Sequence, residues 1–258
     1  MATIKEKLYF TYDGTSSKTF NLMHVELGSG MFEETLVADR NINETRNSRN
    51  DTGIFNGLES EPLSLTLNLA FERGFTDEAL DDVIEWLFKD YYKPLFFEGK
   101  EDRIYMCIAE GSSSITHNGL NEGYITINMR CQSPNLLSPV KTTPLQTIPS
   151  TGSLTVTINN DGHKEVYPEI SFTKTGTGEL LIRKVDTNEI VKVKNLNNNE
   201  QIYIDTFKEI IETNAVGKYR YNDVDGDFRD LFMKKGQNQY QITGAGKIQF
   251  KYRIKYKF

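Results

Sequence analysis

The stretch TDEALDDVIEWLFKDYY, residues 76–92, is the one clearly helical run in a chain that otherwise reads as strands. Its apolar positions Leu80, Val83, Ile84, Leu87 and Tyr91 fall at i, i+3, i+4, i+7 and i+11, the spacing of one helical face. Thr76 is placed to cap the N-terminus, and Phe75 and Leu80 flank it as a hydrophobic staple. Asp77, Glu78, Asp81 and Asp82 put negative charge where the helix dipole favours it, with Lys89 and Lys93 near the other end. Pro94 cannot continue the helix. The pattern predicts a helix laid over one face of a sheet. Trp86, the only Trp, lies about 120° from the centre of the stripe. Two readings stand for it: the edge of a core, or a contact for another chain.

Around this helix the strands are easy to find. In LSLTLNLAF, Leu63, Leu65, Leu67, Leu69 and Phe71 alternate with small or polar residues, so one face is buried and one wet. KPLFFEG (93–99) and Arg103 to Ala109 are short apolar strands, and Ile125, Ile127, Met129 and Cys131 alternate in the next. Upstream, LYF (8–10) runs into the turn Tyr12-Asp13-Gly14, and an apolar pattern resumes from Phe20 to Leu27. Between them and LSLTLNLAF, residues 33–57 are polar, too long for an ordinary connection, and carry Arg40, Arg46 and Arg49. That segment is either a mobile loop or an arm ordered against a neighbour. These elements predict an N-terminal α+β domain over residues 1–132.

Residues 133–151 hold four of the seven prolines amid Ser and Thr, the composition of a linker. Beyond them, short alternating runs are divided by turns at Asn160-Asp161-Gly162, Gly176-Thr177-Gly178, Asp186-Thr187-Asn188 and Gly244-Ala245-Gly246. The last, Ile248 to Phe258, reads as one regular strand with Lys251, Arg253, Lys255 and Lys257 on its wet face. The fold class that follows is mainly β with one helix. Residues 152–258 form a second domain, a β-sandwich of jelly-roll or galectin-like type.

Composition narrows the function classes. The 258 residues suffice for two domains, and aromatics at 11% can fill cores. Mean hydropathy is −0.50 and no run approaches the ~20 apolar residues of a membrane span, so no membrane insertion is expected. MATIKEKLYF has no signal-peptide pattern, which predicts synthesis in a cytoplasm. Cys107 and Cys131 read as two small buried hydrophobes rather than a disulfide framework. A net charge of −6 argues against nucleic-acid recognition, which depends on basic surface.

Chemistry-bearing patterns are weak. His24, His117 and His163 have no metal-ligand spacing, and no catalytic, metal or cofactor site is expected. Asp223-Val224-Asp225-Gly226-Asp227 resembles a calcium loop. However, Gly226 stands at the fourth position rather than the sixth, and Lys234 replaces the closing Glu. It reads as a turn. A hydrolase would need a nucleophile–base pair that is not visible.

Three segments carry a family resemblance. They are FTYDGTSSKTFNLMHV (10–25); RNDTGIF (49–55) through the helix and KPLFF to GYITINMRCQSP (123–134); and EVYPEISF (165–172) with LFMKKGQNQYQITGAGKIQFKYRIKYKF (231–258). In their order and spacing the chain resembles the distal tail proteins of long-tailed, non-contractile bacteriophages and prophages. That resemblance implies a structural, non-enzymatic virion component. Its first domain would form a hexameric ring at the tail tip, a homo-hexamer that joins the tail tube and tape-measure protein to tail-associated and receptor-binding proteins. It also gives the odd features a use. Arm 33–57 would lie on the neighbouring subunit, with Arg46 or Arg49 pairing to an acidic face such as that of helix 76–92. Phe55 and Trp86 would sit in or near the same contact. The competing reading is a carbohydrate-binding sandwich module. It needs exposed aromatics on one sheet face, for which Tyr219, Tyr221 and Tyr240 are the candidates, although their alternation suits a core equally well.

Overall fold

In the computed structural model, residues 6–27, 37–47 and 52–257 are described. The chain divides into two compact units, Met1–Leu137 with Tyr256–Phe258, and Ser138–Lys255. In the first unit the elements are β1 (Phe10–Tyr12), β2 (Thr15–Ser16), β3 (Leu22–His24), β4 (Arg40–Thr45), β5 (Ile54–Ser60), β6 (Ser64–Phe71), α1 (Asp77–Leu87), β7 (Lys93–Phe97), β8 (Tyr105–His117), β9 (Gly123–Cys131) and β10 (Asn135–Leu137). Seven strands make one sheet in the order β2-β1-β7-β8-β9-β6-β3. The N–H of His24 in the edge strand β3 donates to Leu8 O, just ahead of β1, at 2.7 Å. The sheet therefore curls until its two ends nearly meet.

The alternation read in the sequence decides which face is inside. Leu63, Leu65, Leu67, Leu69 and Phe71 are all buried, as are Ile125, Ile127, Met129 and Cys131 on the neighbouring strand. The opening hairpin turns at Asp13 and Gly14, both at positive φ (+49° and +80°). That geometry matches the twist of the flanking strands and favours this residue pair. Its return strand is only Thr15–Ser16. The apolar run from Phe20 goes instead to β3, on β6 at the other edge.

The helix is shorter than the 76–92 expected. Thr76 caps it, its hydroxyl accepting from Ala79 N, but the helix ends at Leu87 and Phe88 leaves the helical region at φ −96°, ψ 77°. The cause lies downstream. β7 pairs with β1 and β8 from Lys93 onward, and Pro94 holds Lys93 out of the α region, so the chain must unwind before it arrives.

The second unit contains β11 (Lys141–Thr142), β12 (Gln146–Ile148), β13 (Leu154–Asn160), β14 (Glu169–Lys174), β15 (Gly178–Lys184), β16 (Ile190–Leu196), β17 (Gln201–Asp205), β18 (Ile210–Thr213), β19 (Val224–Asp225), β20 (Gly236–Thr243) and β21 (Gly246–Tyr252). A last strand, β22 (Lys255–Lys257), pairs with β10. One sheet runs β11-β21-β14-β17-β18, with β12 also on β21; the other runs β13-β20-β15-β16-β19. Their inner faces share one apolar core, including Ile170, Phe172, Ile182, Tyr240, Ile242 and Phe250. This is the sandwich expected.

Two expectations need correction here. Residues 133–151, read as a linker, are extended as their prolines require, but β10, β11 and β12 within them are ladder-paired. The closing run 248–258 is two strands, β21 and β22. At the break, Ile254 bonds Ser138 through both its N–H and its carbonyl.

Candidate functional site

Among the described residues, β4 and β5 pair only with each other, forming a two-stranded ribbon separate from the seven-stranded sheet. Its strands take in the described part of the polar segment 33–57 from Arg40 and run on to Ser60, and a loop reading misses the ladder because RNINET alternates only weakly. Such a ribbon is marginal on its own in water. Its side chains are exposed along both strands.

The register arranges those side chains. Ile42 stands opposite Leu58, and Glu44 opposite Phe55, with a register shift between Asn43 and Glu44. Residues two apart on a strand share a face, so Ile42, Leu58 and Phe55 lie on the same side. The extra residue, Asn56, is what puts Phe55 there; in a regular ladder Glu44 would face Asn56 and Phe55 would fall on the opposite side. Gly57 adjoins the bulge at φ +156°, a conformation open mainly to glycine. The outcome is a small apolar face on which Phe55 is 65% exposed.

Further exposed apolar residues lie on α1 and just past its end. Val83, Trp86 and Leu87 are buried, whereas Ile84 on the helix and Phe88 and Tyr91 beyond its last turn are exposed. The predicted stripe is therefore rotated, with Trp86 taking the core position expected of Ile84 and Tyr91. Trp86 is 5% exposed. It stacks on Phe20 (4.6 Å between centroids) and Phe10 (5.5 Å), and its Nε1–H donates to Tyr12 O at 2.9 Å. Of its two readings, the side chain occupies the core. Any direct contact with another chain falls to its exposed neighbours. The acids of the first turn remain at the surface. The backbone N–H of Glu78 and the Thr76 hydroxyl hold the Glu78 carboxyl below its usual range.

The other candidates are placed as follows. Arg46 pairs with Glu44 of its own ribbon (2.6 Å) and is otherwise exposed. Arg49 lies outside the described residues. The carboxylates of 223–227 do not converge on a cation site. Asp223 pairs with Arg220 and accepts from Asn195, Asp225 pairs with Lys194, and Asp227 caps a 3₁₀ turn at Arg229 N. The three histidines sit on different elements, His24 against Phe97, His117 against Phe75, and His163 bonding Lys255 O through its backbone. The basic face of β21 is partly neutralised by Lys251–Glu169 (2.9 Å). Of the three tyrosines, Tyr240 is fully buried, stacked on Phe250, with its hydroxyl donating to Leu231 O, while Tyr219 and Tyr221 are exposed.

Comparison with known proteins gives a consistent picture. A model described as a phage tail protein N-terminal domain matches residues 5–133, and one described as a phage tail C-terminal domain matches 138–252. The chain is 27% identical, over 254 residues covering 98% of it and 99% of the relative, to the SPbeta prophage-derived protein YomH of Bacillus subtilis strain 168. Among solved structures it is similar to SPP1 Dit (gp 19.1), titled a paradigm of the hub adsorption apparatus in Gram-positive infecting phages. The TM-score is 0.71 at 19% identity, covering 96% of this chain and 99% of that one. A chain of the phage p2 baseplate in its activated conformation with Sr matches at TM-score 0.51 and 10% identity, over 95% and 97% of the two chains. At these identities the structural likeness is one of fold.

Proposed function

The chain belongs to this phage tail protein family, and from that premise we propose that it is a structural hub of the tail tip. In this reading, copies of the first unit close into a hexameric ring. The ring joins the tail tube and tape-measure protein on one side to tail-associated and receptor-binding proteins on the other. The fold it shares with a hub protein supports the role.

The observation that carries the reading is the bare apolar face of the β4–β5 ribbon. In this reading the exposed Ile42, Leu58 and Phe55 of one copy would pack against the exposed Ile84, Phe88 and Tyr91 of the next. Arg46 and Arg49 would approach the acids of α1, among them Asp81, Asp82 and Glu85. Two different patches meeting head to tail form a heterologous contact, which must close into a ring or grow without limit. Trp86 supports the contact from beneath, by fixing the helix.

Light scattering over a concentration series, followed by negative-stain imaging, tests this. A closed six-fold ring with a central opening is expected, and Phe55→Ser should shift it towards monomer. Open filaments, or a closed dimer, would overturn it.

A further inference from the structure

The second unit holds an aromatic feature that the hub reading does not use. The chain leaves the edge strand β18 at Asn214 and returns through Tyr219, Arg220 and Tyr221. Val216 is fully exposed, Tyr219 is 73% exposed, and the Tyr219 and Tyr221 rings lie in contact at 5.0 Å between centroids. Exposed apolar groups on a surface loop are usually mobile. Here the residue between the two tyrosines anchors the loop. Arg220 is 3% exposed and donates through Nε and Nη2 to the Glu200 carboxylate (2.8 and 2.6 Å), and through Nη1 to Asp223 (2.8 Å). The Thr213 hydroxyl donates to the same Glu200 at 2.6 Å, and Asn197 N–H at 2.8 Å. Ile211 N–H reaches the Tyr221 hydroxyl at 3.4 Å. A buried ion pair adds little net stability compared with an apolar replacement, but it fixes one conformation. What it fixes here is a pair of tyrosines held in water.

The same edge strand bounds an open groove of ≈360 Å³ on the outer face of the sheet, lined by Ser171, Thr173, Gln201, Tyr203, Glu212 and Asn214. Ser171, Tyr203 and Glu212 stand in one cross-strand row, with Thr173 and Gln201 in the next. The volume lies near the lower end of the ~300–1,000 Å³ usual for ligand sites. Amide, carboxylate and hydroxyl side chains surround one tyrosine ring, and Phe172, Ile202 and Thr213 complete the lining. An apolar peptide would leave those groups unpaired, and an anion would meet Glu212.

We infer that this edge of the second unit, the groove bounded by β18 and the Tyr219–Tyr221 pair on the loop that leaves β18, binds a neutral saccharide. A sugar ring offers an apolar C–H face to stack on tyrosine and a rim of hydroxyls for Gln201, Glu212 and Ser171. The preformed loop spares the ligand the entropy of ordering it.

The test uses the full chain on a printed array of neutral and N-acetylated oligosaccharides, followed by saturation-transfer NMR with the best binder. Ring C–H signals are expected. Tyr219→Ala and Glu212→Ala should each weaken binding about tenfold, the loss of one stacking or charged hydrogen-bond contact. Both side chains are exposed, so the melting temperature should hold. An array silent at millimolar saccharide would overturn the inference and turn attention to a protein partner. Binding that survives the Tyr219→Ala/Tyr221→Ala double substitution would overturn it too. Ring mass is unaffected by either result, so the hub reading stands or falls separately.

Discussion

Phe55 on the β4–β5 ribbon and Tyr219 on the loop after β18 are both aromatic rings held out in water, and the two regions hold them in opposite ways. Among the described residues, the ribbon is held by its own ladder and by exposed side-chain pairs within it or at its end, Arg46–Glu44, Asn56–Thr45 and Asn41–Glu61, the ion pair being of the kind worth about 0–1 kcal/mol. The loop is fixed through Arg220 to Glu200 and Asp223, at the cost of desolvating the ions. An element with no support of its own gains order only from a partner, which suits assembly. An element fixed in advance suits recognition of something small that brings little binding energy.

The largest effect should come from cutting the loop's anchor. Arg220→Ala leaves Glu200 buried and unpaired, so the second unit should lose about 3–5 kcal/mol in denaturant unfolding. Replacing Arg220 and Glu200 together with Met and Leu should recover most of that stability but not the tyrosine pairing. Loss of under about 1 kcal/mol from Arg220→Ala would show the loop no better anchored than the ribbon. Acid should act at the same point. Burial alone would raise the Glu200 carboxyl, but the Arg220 fork, Asn197 N–H and Thr213 hydroxyl outweigh it and hold the group at about 2. A folded value below the unfolded one stabilises above pH 4.5 and is lost as pH falls from there towards 2. The lowering corresponds to about 3 kcal/mol, measurable as melting temperature against pH, and Glu200→Gln should flatten that part of the profile.

How much of this was legible in the sequence follows the same division. Strands buried on one face declare themselves by alternation, as Leu63 to Phe71 does, because the sequence period and the burial period are the same. Neither the ribbon nor β18 announces itself. RNINET is exposed on both faces, so no period is imposed on it, and β18 (Ile210–Thr213) is too short for one to show. The helix was legible in type and start but not in facing. The expected stripe runs through Leu80, Val83, Ile84, Leu87 and Tyr91 and leaves Trp86 about 120° from its centre, and the decisive term, a stack of Phe10, Phe20 and Trp86, joins residues far apart in sequence. The Arg220–Glu200 fork is likewise a tertiary fact. Its one sequence trace is an Arg between two tyrosines, which on a surface loop would carry no meaning.

The ribbon can be tested without disturbing the fold. Ile42→Ser with Phe55→Ser removes apolar area that is mostly exposed, so thermal unfolding of the monomer should shift by less than about 0.5 kcal/mol. Assembly measured by light scattering should weaken at least about tenfold. If the monomer itself is destabilised, the ribbon has support inside its own unit and the contrast with the loop fails.

The smallest expected effect decides what holds the loop. Tyr221 contributes a long 3.4 Å hydrogen bond from Ile211 N–H, whereas Arg220 contributes three shorter ones to carboxylates. Charge-assisted bonds are roughly twice as strong as neutral ones, so the arginine should dominate. Tyr221→Phe should therefore cost under about 1 kcal/mol in denaturant unfolding and leave saccharide binding within about twofold, because the ring remains to stack. A loss approaching that of Arg220→Ala would move the anchor from the buried ion pair to the edge of β18. The tyrosines would then hold the loop in place rather than being held by it, and their exposure would be a by-product of capping a strand edge.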